Sequence, residues 1–163
     1  MTEKTHDPVH GASYSFVRDG ENLIVETWLE PGGGLPPHLH PVQEEHWSVV
    51  EGEVEFQLGS TKRVITAADG AMVVRPGVKH GLSGTGKGTA HLSCVVLPAG
   101  NLEEFLTDSA RAAREGLFMK GGIPKSLAGA RWAAGFLKQH REEVVMTFPP
   151  QFAQRAMIAL LAR

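Results

Sequence analysis

GLPPHLHPVQEEHWSVVEG, residues 34–52, carries two histidines one residue apart, a proline corner, and then two glutamates leading into an apolar run. Side chains two apart on a strand share a face, roughly 6–7 Å apart along the chain. His38 and His40 can therefore lean onto one ion, each nitrogen about 2.0–2.1 Å from it. Pro41 has no N–H for a ladder, so the strand is expected to turn there and return beside His38 and His40, bringing a carboxylate as third ligand. Parity chooses the carboxylate. Glu45 inward also places Trp47 and Val49 inside and leaves Glu44, His46 and Ser48 outside; the alternative, Glu44 inward, buries His46 and Ser48. Trp47 is then a pocket wall or a core residue.

A second stretch, residues 69–80 (DGAMVVRPGVKH), ends one strand at the turn Arg75-Pro76-Gly77 and opens the next with His80 as a fourth ligand. Three neutral imidazoles and one carboxylate neutralise half of a divalent charge and leave positions open. Such a donor set suits one divalent transition metal, Fe, Mn, Ni, Cu or Zn, better than Ca or Mg. Glu45 is the candidate catalytic residue as well, because a carboxylate that swings off a metal is a ready base.

Outward from these stretches, short runs rich in Val, Ile, Phe and Trp recur from Ser13 to Leu97: SYSFV, NLIVETWLE, HWSVVE, EVEFQL, RVIT, AMVV and AHLSCVVL. Gly, Pro and Asp interrupt them every 8 to 12 residues, a spacing that predicts an all-β sandwich or barrel. After Pro98-Ala99-Gly100 the period changes. Asn101 is a good N-cap for a helix running to Gly116; a second helical stripe, Leu127, Ala130, Ala134 and Leu137, continues to about Glu143; a third short helix follows Phe148-Pro149-Pro150. Residues 1–100 are thus expected to form the barrel. Residues 101–163 form a helical extension whose helices are too short to stand alone, so they pack on the barrel or on a partner subunit.

Composition narrows the function. The length fits one domain, and with 42% hydrophobic and 21% charged residues the chain reads as soluble and globular. A formal charge of −2 supplies no basic field for phosphate backbones, so the expected partner is a small molecule, not nucleic acid. Met1 to His10 is polar and resembles no signal peptide, and no run of about 20 apolar residues suggests a membrane helix. The one cysteine, Cys94, reads as a small buried hydrophobe and fits a reducing cytoplasm. His6, His10 and His140 are expected to be solvated, His91 to lie on the surface, and Arg75 to point into solvent.

At these residues the chain resembles the cupin superfamily, whose first motif in one common form is G-x5-H-x-H-x4-E-x6-G. Here it falls on Gly32, His38, His40, Glu45 and Gly52. The second motif, G-x5-P-x-G-x2-H-x3-N, is met at Gly77 and His80, while Asp69, Arg75 and Gly84 depart from its first glycine, its proline and its asparagine. The departures touch turns, not the metal-binding positions. The short separation of the motifs is similar to that of compact bacterial single-domain cupins, and the helical tail resembles that of an uncharacterised bacterial group. The resemblance implies a double-stranded β-helix, or jelly-roll barrel, a metal on His38, His40, Glu45 and His80, and a homodimer. It leaves the activity open among oxygenase chemistry of the quercetin-dioxygenase-like kind, a non-catalytic ligand-binding or sensory role, and a sugar isomerase or epimerase.

Overall fold

The computed structural model describes residues 3–162. Ten strands come first: β1 Thr5–Asp7, β2 Ala12–Asp19, β3 Asn22–Leu29, β4 Gly34–Leu39, β5 Glu44–Glu51, β6 Glu53–Leu58, β7 Thr61–Thr66, β8 Met72–Val74, β9 His80–Gly84 and β10 Ala90–Leu97. The extension contains α1 Leu102–Arg114, the short pair β11 Phe118–Met119 and β12 Ile123–Pro124, α2 Leu127–Gln139, β13 Val145–Met146 and α3 Gln151–Leu161.

Alternation builds the strands. In β3, Leu23, Val25, Thr27 and Leu29 are buried while Ile24, Glu26 and Trp28 are half-buried on the opposite face. One antiparallel sheet has the order β1-β2-β3-β10-β5-β8, and the other β13-β4-β9-β6-β7. From β4 to β10 the chain passes repeatedly from one sheet to the other, which makes the barrel a double-stranded β-helix. Its interior is filled by Tyr14, Leu23, Val25, Trp47 and Val49 from the first sheet and by Val54, Phe56, Ile65 and Leu82 from the second.

The extension is more than helices. After α2 the chain turns at His140, whose carbonyl accepts from Glu143 N (3.0 Å) and Val144 N (3.1 Å), so the helix stops at Gln139 and not near Glu143. It then runs extended as β13, which joins the second sheet beside β4, with Val145 opposite Leu39 and Met146 opposite His38. Thr147 adds two bonds to the Pro37 carbonyl, from N (3.2 Å) and from Oγ1 (2.7 Å). Asn101 occupies the N-cap of α1, but its side chain makes no capping bond; Ser126 does cap α2, accepting from Gly129 N at 3.2 Å. Among the described residues no helix is long and apolar enough to cross a membrane.

Candidate metal centre

Three elements and one corner bring His38, His40, Glu45 and His80 together. His38 lies on β4, directly across the ladder from His80, the first residue of β9. His40 follows just past the end of β4, where its carbonyl accepts from Gly77 N at 2.7 Å and ties it to the turn before β9. Gly77 has φ 77°, a conformation that glycine adopts without steric cost. Glu45 arrives differently from expectation. Its strand does not lie beside β4: Pro41, Val42 and Gln43 carry the chain over to the other sheet, where β5 pairs with β10 and β8. Glu45 therefore reaches the histidines across the barrel interior. Glu45, Trp47 and Val49 face inward, whereas Glu44 and His46 pair outside at 2.7 Å.

The imidazoles cluster tightly, with ring centroids 5.0 Å apart for His38 and His40, 4.3 Å for His38 and His80, and 5.3 Å for His40 and His80. One ring nitrogen from each lies within 4.8 Å of the others. Each Nδ1 faces a main-chain carbonyl: His38 that of Pro36 (2.8 Å), His40 that of Glu143 (2.6 Å) and His80 that of Val78 (3.1 Å). A carbonyl oxygen only accepts, so in all three rings Nδ1 carries the proton. In the neutral ring, Nε2 is then a bare lone pair. Yet Nε2 of His40 sits 3.0 Å from Glu45 Oε1, and Nε2 of His80 sits 2.8 Å from Glu45 Oε2, acceptor against acceptor. Both nitrogens are buried and lack a properly directed hydrogen bond. Such contacts hold together only with positive charge between them, from protons or from a metal.

The electrostatics follow this crowding. Burial pushes the Glu45 carboxyl up, but the close approach of His40 and His80 outweighs it and holds the group well below the usual carboxylate range. Burial, then the charges of His80 and His40, push His38 down to about 3, against the pull of Glu45. His40 goes the other way: burial lowers it, but Glu45 and the Glu143 carbonyl raise it above its ordinary value. Trp47 does more than line the wall, since its Nε1 donates to Glu45 Oε2 at 2.8 Å and fixes the carboxylate.

His38, His40, Glu45 and Trp47 open onto a cavity of about 310 Å³. The extension forms its roof, with Phe105, Trp132, Phe136, Leu137 and Met157 facing in, and among the described residues no lysine or arginine lines it. A larger cleft of about 830 Å³ runs outside the barrel and touches none of the four residues, so the smaller cavity is the relevant one.

Two features were not legible from the motifs. One is the Glu143 carbonyl on His40, contributed by the extension. The other is His10, which is not a solvated tail residue: its Nδ1 lies 2.7 Å from Oδ2 of the buried Asp7, and both residues line the cavity. The signal available was the spacing Asp7-Pro8-Val9-His10, a turn in which the carboxylate also accepts from the N–H groups of Val9 and His10. His140 is buried too, at 2% exposure, contrary to expectation. His91 lies on the outer face against Glu26 (2.6 Å) and Trp28, and Arg75 is exposed. Cys94 is buried beside Trp47 across the ladder, and burial together with the Glu45 charge pushes its thiol well up, which disfavours the thiolate.

A double-stranded β-helix with an inward cluster of three histidines and a glutamate defines a cupin, and comparison with known proteins agrees: residues 25–96 match the family model of the cupin domain. Residues 25–96 of the barrel are thus a cupin domain. A solved RmlC-like cupin from Shewanella frigidimarina is 26% identical, with TM-score 0.56 over 63% of this chain and 89% of its own. KdgF from a Halomonas species shares the fold at 20% identity, with TM-score 0.53 over 61% of this chain and 90% of its own. A curated protein from Arthrobotrys oligospora named an oxidoreductase is 28% identical over 103 residues, which are 59% of this chain. The match spans about two fifths (41%) of that relative's length.

Proposed function

We propose that the protein is a metal-dependent oxidoreductase that holds one divalent transition metal through His38, His40, Glu45 and His80 and acts on a small, uncharged, largely apolar molecule. The observation that carries this reading is the face-to-face approach of buried lone pairs on His40 and His80 to Glu45, which one divalent ion resolves at a single stroke. Three nitrogens and one oxygen suit a transition metal, and the fixed Nδ1–H bonds supply the outer support that such ligands need. A bound metal of this kind supplies Lewis acidity or redox capacity at its open positions. The chain's own residues do the rest. Trp47 orients Glu45, the aromatic roof limits water, and the absence of lysine and arginine from the described lining residues disfavours an anionic substrate. The Asp7–His10 pair is the second polar group a ligand meets in the cavity, placed to take a hydroxyl proton on the imidazole. The name of the Arthrobotrys relative favours redox chemistry, and a phenolic or enolisable substrate for an oxygenase fits an apolar cavity.

In protein purified without chelator, metal analysis should find close to one transition-metal ion per chain at the barrel site. His38→Ala with His80→Ala should remove it while the barrel stays folded, and Glu45→Gln should weaken it far more than Glu44→Gln. Full occupancy in the double variant would sink the assignment. Oxygen uptake with phenolic substrates should require a redox-active metal and stop with Zn; turnover unchanged under strict anaerobiosis would reject the oxygenase chemistry alone.

A further inference from the structure

We propose a second divalent-cation site, separate from the barrel, formed by Glu104 and Asp108 of α1 and His140 at the end of α2. Donor atoms of the three lie within 4.8 Å of one another. Glu104 and Asp108 are four residues apart and so share one face of the helix, where two carboxylates repel each other unless a cation intervenes. Each has one oxygen engaged: Glu104 Oε1 accepts from Gln139 Nε2 at 3.2 Å, and Asp108 Oδ1 from Arg111 at 2.9 Å. The other oxygen of each is left for a monodentate bond.

An independent observation comes from His140. The residue is 2% exposed, and its ring is wedged against Phe105 (centroids 5.5 Å apart) and Phe136 (4.7 Å). Its Nε2 is shielded from solvent and has no hydrogen-bond partner. A buried imidazole nitrogen left unpaired is costly, and metal ligation is one of the few ways to use it. One nitrogen with two carboxylate oxygens suits Zn and its neighbours better than Ca or Mg. Bonds of about 2.0–2.2 Å put tetrahedral donors roughly 3.4 Å apart, a closure the exposed Glu104 can make by rotating its side chain.

The site has a structural consequence. The His140 carbonyl accepts from Glu143 N, and the Glu143 carbonyl in turn accepts from His40 Nδ1. A cation here staples α1 to the turn that orients a residue of the barrel site. This inference does not depend on the metal proposed for the barrel.

Equilibrium dialysis of the full chain, stripped of metal and then exposed to Zn2+, separates the two. The wild type should hold two Zn2+ per chain. Glu104→Gln with Asp108→Asn should lose one and keep the other, with unchanged circular dichroism because both changes are on the surface. His38→Ala with His80→Ala should lose the other one. Zinc content in Glu104→Gln/Asp108→Asn equal to the wild type would overturn the second site, whatever the barrel variant does. Loss from Glu104→Gln/Asp108→Asn with none from His38→Ala/His80→Ala would support it while rejecting the barrel centre.

Discussion

A hydrogen atom on Nδ1 decides what each histidine of the barrel can do, and in all three a main-chain carbonyl holds it there. Trp47 performs the corresponding task for Glu45. Trp47→Phe keeps most of the ring volume but removes the N–H, so metal affinity should fall about tenfold with little loss of fold, the usual cost of losing an outer partner; competition with a chelating dye measures it, and an unchanged affinity would leave Trp47 as wall only. Asp7 gives a prediction in pH. Burial pushes its carboxyl up, but the His10 ring and two backbone N–H groups outweigh this and bring it below the ordinary 3.8. A carboxylate lowered on folding stabilises the protein fully above its unfolded value and stops doing so as pH falls through the folded one. Asp7→Asn should therefore cost on the order of 1–3 kcal/mol near neutrality, the penalty for breaking a buried network, and its deficit should shrink below about pH 4; urea melts across that range test it. The inward turn of Glu45 was legible because parity on a strand is strict. The partner of His40 was not, because it is a backbone oxygen 103 residues away, and a carbonyl has no residue-type signature.

At the scale of elements, alternation and turn residues were enough to place the barrel strands. Which sheet each strand joins was not readable, and so β5 was expected beside β4. Gly84 shows how a departure from a family pattern can be local: a Cβ there would strike the Glu30 carbonyl, so glycine is what this close approach admits. The strand β13 had no signal of its own. Two residues make no period, and Val145-Met146 is a strand only because β4 offers it an edge at His38 and Leu39. The extension is accordingly expected to matter for the site as well as for packing. Deleting residues 101–163 removes the cavity roof and the acceptor of His40 together, and each large apolar side chain lost contributes about 1.5–3 kcal/mol when fully buried. The shortened chain should aggregate and hold metal poorly, as light scattering and metal analysis would reveal; a soluble, fully metallated product would show the extension to be dispensable.

The whole molecule is a barrel with a lid drawn from its own later residues. Amphipathic spacing in α1 and α2 revealed that one face of each is buried but not what buries it. Phe105, Trp132 and Phe136 stack upon one another, with centroids 4.8 Å and 4.7 Å apart, and the same rings close the cavity above the histidines. Packing residue and pocket residue are here the same residue, a double role that hydrophobic periodicity does not distinguish. The cavity is apolar over most of its wall, with its carboxyl and imidazole groups at Asp7–His10 and at His38, His40 and Glu45 and the hydroxyls of Thr27 and Ser109 between apolar stretches.

The bond between His40 and Glu143 also sets an order of assembly. A ribosome adding about 5–20 residues per second finishes His40 roughly 5–20 s before it reaches Glu143. Once His80 has been added, the growing chain carries all four candidate ligand side chains without the acceptor that fixes the His40 ring. On the metal site proposed above, ion capture in its final geometry waits for the segment around Glu143 to emerge.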